Sequence, residues 1–104
     1  MHQARPRWTF LTNYGHVLLC IARDPEARLR DIAAAVGITE RAVQAIVGDL
    51  VDDGYLERHR VGRRNSYRVQ YSAPMRHPAS GAHQVGEVLA VLAAIDGTPT
   101  AATA

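Results

Sequence analysis

The run Ile32-Ala33-Ala34-Ala35-Val36-Gly37-Ile38-Thr39-Glu40-Arg41-Ala42-Val43 sets a glycine four residues after Ala33 and six before Val43. No other feature constrains the fold as tightly. Alanine at the first position lets a second helix cross close over the first. Glycine at the second supplies the left-handed backbone of a tight inter-helix turn, and valine at the third plugs the crossing. Two short helices in a crossed pair are therefore expected.

The sequence on either side extends this pair into a domain. Residues 1–8 read as an arm, polar and proline-containing through Arg7; Trp8, with Phe10 and Leu11 beyond it, is expected to fold back on the domain. Thr12 caps a helix over 13–23, in which Tyr14, Val17, Leu18 and Ile21 fall at i, i+3, i+4 and i+7 and which Asp24-Pro25 ends. Arg28-Leu29-Arg30 is expected to be extended and to lend a minimal edge strand. Asp31 then opens the first helix of the pair with an acid at its positive end, and Gly37 closes it. Thr39 caps the second helix, whose Val43, Ile46, Val47 and Leu50 form the inward stripe with Val51 flanking, and Gly54 supplies its left-handed C-terminal residue. Thr39, Glu40, Arg41, Gln44, Ala45 and Gly48 are left facing outward.

Beyond Gly54-Tyr55-Leu56 the pattern predicts a short strand, a basic turn around Gly62-Arg63-Arg64-Asn65 and a second strand over 66–71. Leu56, Tyr67 and Val69 alternate inward, and the arginines between them project into solvent. Residues 72–82, with Pro74 and Pro78, form a connector. Helix returns over 83–96, with Val85, Val88, Leu89, Leu92 and Ile95 on one face and Val91 adjacent, and 97–104 is a tail.

The fold class that follows is mainly α with a small β-hairpin wing. The stretches LRDIAAAVGITERAVQAIV and DLVDDGYLERHRVGRRNSYRV, within residues 29–69, resemble the winged helix-turn-helix regulators, most closely small bacterial relatives of the MarR and ArsR groups. The resemblance implies a winged helix-turn-helix domain over 9–71 with an additional C-terminal helix. It implies sequence-specific binding of double-stranded DNA, with the recognition helix at 39–53 in the major groove and the wing at 55–71 on phosphate or in the minor groove. The family commonly dimerises through terminal helices. A homodimer through the first and C-terminal helices would present two recognition helices to half-sites about 34–36 Å apart. Repression is the default sense, because so short a chain carries no segment dedicated to polymerase recruitment.

Charge is distributed in keeping with that expectation. The net +2 conceals blocks of +3 over 1–23, −5 over 24–57, +6 over 58–86 and −2 over 87–104. Six arginines with no acid, centred on the hairpin, suit a phosphate-contacting element, because each neutralised phosphate releases condensed counterions. Arg58, Arg60, Arg63 and Arg64 are the candidate contacts of the wing, Arg63 and Arg64 foremost because they occupy its tip, with Asn65 and Arg68 secondary. On the recognition helix, Arg41 suits bidentate pairing with guanine and Gln44 with adenine. Thr39 bonds a phosphate or base, Ala45 and Gly48 permit close backbone approach, and Glu40 adds repulsion. Ala45 stands where related sequences often carry another Arg or His, which thins the base readout.

Other chemistry finds little support. The 104 residues hold no phosphate-cradling glycine loop, nucleophile elbow or recognisable carboxylate pair, so no enzyme is expected and no cofactor. His2, His16, His59, His77 and His83 are scattered without ligand spacing, and only His77 with His83 suggests even a zinc site shared between copies. Cys20, the single cysteine, has no cation beside it to activate it. No apolar run approaches the roughly 20 residues of a membrane span and no signal core opens the chain, so a cytoplasmic protein is expected, associated with the nucleoid when on DNA. No effector is identified. The alternative is a winged helix that binds another protein through the acidic 49–57 region or the last helix and never touches DNA.

Overall fold

The computed structural model describes residues 6–93. It is a winged helix: α1 (Asn13–Arg23), α2 (Leu29–Val36), α3 (Glu40–Asp52), then β1 (Leu56–Val61) and β2 (Arg64–Val69) as an antiparallel hairpin, a short 3-10 turn at Pro78–Ser80, and α4 (Val85–Ala93). Val17, Ile21, Ile32, Val43 and Val47 are almost wholly buried where the first three helices meet. The hairpin closes the core with Leu56, Tyr67 and Val69, and α4 adds Val85 and Leu89.

The crossing of α2 and α3 is built as its three residues require. Ala33 and Val43 are buried, and Gly37 ends α2 at φ 87°, a region in which a Cβ would crowd the backbone. Gly37 and Ile38 both donate their amides to the carbonyl of Ala33. Thr39 then starts α3, its Oγ1 accepting from the Ala42 amide at 3.0 Å. All four residues of the inward stripe of α3 are buried.

Elsewhere the structure corrects the sequence reading. Arg28-Leu29-Arg30 is no edge strand: Arg28 is the N-cap of α2, which starts at Leu29 rather than Asp31, and the sheet has two strands. The segment still reaches the hairpin, but through one backbone bond, from the Tyr67 amide to the Pro25 carbonyl. The second strand lies at Arg64–Val69, because a two-residue turn at Gly62-Arg63 suffices to reverse the chain. Tyr14, expected in the core, is 43% exposed and turns its hydroxyl to Asp49 near the end of α3. Trp8 and Phe10 stay exposed rather than folding back.

The stretch over 72–82 is more ordered than a connector. Pro74 bridges to Gln84, the Met75 amide bonds the His83 carbonyl, and the Tyr55 hydroxyl donates to the Pro74 carbonyl. These bonds lay α4 on α1. The first turn of α4 is secured by Glu87, whose carboxylate accepts from the Gln84 amide at 2.8 Å and meets His83 Nδ1 at 2.8 Å. Together they hold its carboxyl below the usual carboxylate range, the Gln84 amide foremost. Leu92, expected inward, is 42% exposed, and Ile95 with the tail lies outside the described residues.

Candidate nucleic-acid interface

The outer face of α3 presents the side chains that its periodicity assigns to it. Thr39, Glu40, Arg41, Gln44 and Ala45 are exposed and Gly48 is half-buried. Among the described residues Arg41 and Gln44 have no hydrogen-bond or ion-pair partner, so their polar ends are free for an external ligand. Thr39 spends one lone pair on its cap and keeps its hydroxyl proton. A Cβ built on Gly48 would meet nothing within 4 Å. Nothing inside the protein therefore requires glycine there, in the middle of a helix that it weakens.

The wing divides its basic residues by strand register. Arg58 lies opposite Tyr67 and Arg60 opposite Asn65, so both share the face that carries Leu56 and Val69 into the core; Arg68 lies opposite Glu57 and Arg64 opposite Val61 on the other face. The Arg58 guanidinium carbon sits 5.9 Å from the centre of the Tyr67 ring, Arg60 bonds the Gly62 carbonyl, and Arg68 stands 3.9 Å from Glu57. The six-arginine block of the sequence is therefore not one surface. Arg63 occupies the turn and has no internal partner among the described residues.

What the tertiary structure adds is a basic groove of about 390 Å³ between the wing tip and the start of α2. Arg63, Arg64 and Asn65 form one wall, Arg28 and Arg30 the other, and Glu40 at the start of α3 the end. Arg64 spans it, its guanidinium bonded to the Glu26 carbonyl at 3.3 Å. With the Tyr67 to Pro25 bond, this ties the wing to the loop before α2 and sets its position against the helix pair. Sequence reasoning misses Arg28 and Arg30 because Arg28-Leu29-Arg30 reads as a strand; a cap at Arg28 puts both at the start of α2, beside the first residue of α3.

Two acids at the C-terminal end of α3 are engaged within the fold. Asp49 accepts from the Tyr14 hydroxyl at 2.5 Å, and Asp53 pairs with Arg76 at 2.6 Å. The bond to Asp49 raises the Tyr14 phenol above its ordinary value. Both pairs lie at the C-terminal end of α3, away from Arg41 and Gln44. Among the described residues there is no group of three or more His, Cys, Asp and Glu side chains placed to hold a metal. His83 is paired with Glu87, and His77 Nδ1 accepts from the Ala79 amide. Nor, among them, is any helix long and apolar enough to cross a membrane.

Residues 15–57 match a family model described as winged helix-turn-helix DNA-binding. The match runs from α1 to the start of β1, so it contains the crossed pair α2 and α3. With the observed fold, it supports a DNA-binding winged helix-turn-helix. No curated protein matches the chain.

Proposed function

We propose that the protein is a sequence-specific transcriptional regulator of double-stranded DNA. The carrying observation is the groove formed by Arg28, Arg30, Arg63 and Arg64, which reaches α3 at Glu40, the neighbour of Arg41, with Arg41 and Gln44 exposed on that same helix. Guanidinium groups on two walls suit a phosphodiester backbone, which presents charge at regular intervals, and α3 beside them suits the major groove. Arg63 would reach phosphate or the neighbouring minor groove. In this reading phosphate contacts set affinity and register, and Arg41 and Gln44 read bases. The protein acts as a repressor by occupying its site, and as a homodimer through α1 and α4 it would engage two half-sites.

Selection of bound sequences from a random duplex pool, followed by salt titration of the winning duplex, tests the reading. Expected are a two-fold symmetric site and affinity that falls steeply with salt. Failure to bind any duplex even below about 100 mM salt, where phosphate-driven binding is strong, would shift the reading to a protein-binding module. That rival loses part of its support here, because Asp49 and Asp53 are already engaged by Tyr14 and Arg76.

A further inference from the structure

An open cleft of about 580 Å³ lies between α1, the last turn of α3, the segment after the wing and α4, at the opposite end of α3 from the basic groove. Its size falls within the roughly 300–1,000 Å³ of small-molecule pockets, and Leu18, Leu50, Val85, Val88 and Leu89 give it aliphatic walls. Phe10 and Tyr14 also line it while staying 93% and 43% exposed, so both rings stand at its mouth.

The ionised side chains of the lining do not cancel. Arg76 is paired with Asp53 at 2.6 Å. His77 Nδ1 accepts from the Ala79 amide, so that ring is neutral. Asp49 has a phenol in place of a cation: the Tyr14 hydroxyl donates to one of its oxygens at 2.5 Å, and the other has no partner among the described residues. A carboxylate accepts more than one such bond. The Thr12 hydroxyl makes no cap bond and borders the same cleft. One unbalanced negative charge beside exposed aromatic rings attracts a cation, by charge and through the negative ring faces, and repels an anion.

We infer that the cleft binds an amphipathic monocation, an aliphatic body bearing one ammonium group, with the body against Leu18, Val88 and Leu89 and the ammonium between Asp49 and the rings of Phe10 and Tyr14. Asp49 also belongs to α3. Among the described residues, two side-chain hydrogen bonds join the last turn of α3 to other elements, Tyr14 to Asp49 and Arg76 to Asp53, and all four groups line the cleft. A cation on Asp49 competes with the Tyr14 phenol and loosens one of these two ties, so occupancy is felt by the helix that carries Arg41 and Gln44. The effect on DNA rests on the proposed function; the cleft does not.

Calorimetric titration of the full chain with decyltrimethylammonium tests the cleft. One site with a dissociation constant of about 100 µM is expected, and decanoate, of equal chain length and opposite charge, should bind at least about tenfold more weakly. Asp49→Asn keeps an acceptor for Tyr14 but removes the charge, and should weaken the cation about fivefold. Val88→Phe fills the cleft and should abolish binding, both variants keeping the wild-type circular dichroism. No saturable binding up to about 1 mM, decanoate as tight as the cation, or wild-type affinity in either variant overturns the inference. Saturating cation should also weaken the selected duplex several-fold, and unchanged duplex affinity overturns the coupling to α3. A chain that binds no duplex at all sinks the DNA reading instead, and the titration, which contains no DNA, still decides the cleft.

Discussion

Arg63 and Arg64 are neighbours in sequence but occupy different positions. Arg63, in the hairpin turn, has no internal partner among the described residues, whereas Arg64 also holds the loop before α2 through the Glu26 carbonyl. Replacing either with alanine should lower the slope of log affinity against log salt by about 0.9, and so should Arg28→Ala or Arg30→Ala. An unchanged slope for all four would remove the groove from the interface. Arg41→Ala and Gln44→Ala should instead flatten base preference by about 1–3 kcal/mol at one position each, measured on duplexes with single base changes. Cys20 is half-buried, and burial pushes its thiol up against a smaller opposing effect of Arg23. Its alkylation in the native protein at neutral pH should be slow and should speed up in denaturant; equal rates would contradict the packing. Glu87 titrates below the usual range when folded, so it stabilises the fold above its unfolded value and loses that contribution as pH falls through the folded one. Glu87→Gln should therefore reduce the acid dependence of thermal stability on the low-pH side, and an unaltered pH profile would contradict its capping role.

At the scale of elements, three glycines separate architecture from function. Gly37→Ala forces a side chain into φ 87° at the end of α2 and should cost about 1–2 kcal/mol in denaturant unfolding. A Cβ on Gly86 would come within 2.7 Å of the Tyr71 carbonyl oxygen, backbone that cannot swing aside. Gly86→Ala should thus lift the first turn of α4 and destabilise by about 1–3 kcal/mol. Gly48 is the contrast. With open space around it, Gly48→Ala should stabilise α3 by about 0.5–1 kcal/mol. If the same change weakens DNA binding, glycine is there for the duplex, and unweakened binding would deny that α3 approaches DNA closely at this turn. The helices were legible because each carries its own periodicity, and α3 also its Thr39 cap, although Thr12, expected to cap α1, makes no side-chain bond there. The start of α2 was not, because Arg28-Leu29-Arg30 is too short to distinguish a strand from a first helical turn by pattern.

For the whole molecule, the arrangement is one of segregated surfaces. Basic groups gather between the wing and α2, Asp49 and Asp53 at the far end of α3 are paired internally, and apolar area is left open beside α1 and α4. The sequence by itself determined the crossed helix pair, the hairpin and the basic character of residues 58–86, because caps, left-handed glycines and residue period act over a few positions. The tertiary structure decided which arginines converge. Arg28 and Arg30 meet Arg63 and Arg64 across more than thirty residues, Asp53 finds Arg76, and strand register splits Arg58 and Arg60 from Arg68. It also decided that Phe10 stands in water beside an apolar cleft instead of closing it. Local chemistry fixes the elements, but contacts between distant residues depend on how packed elements bring their surfaces together, and no short stretch of sequence carries that information.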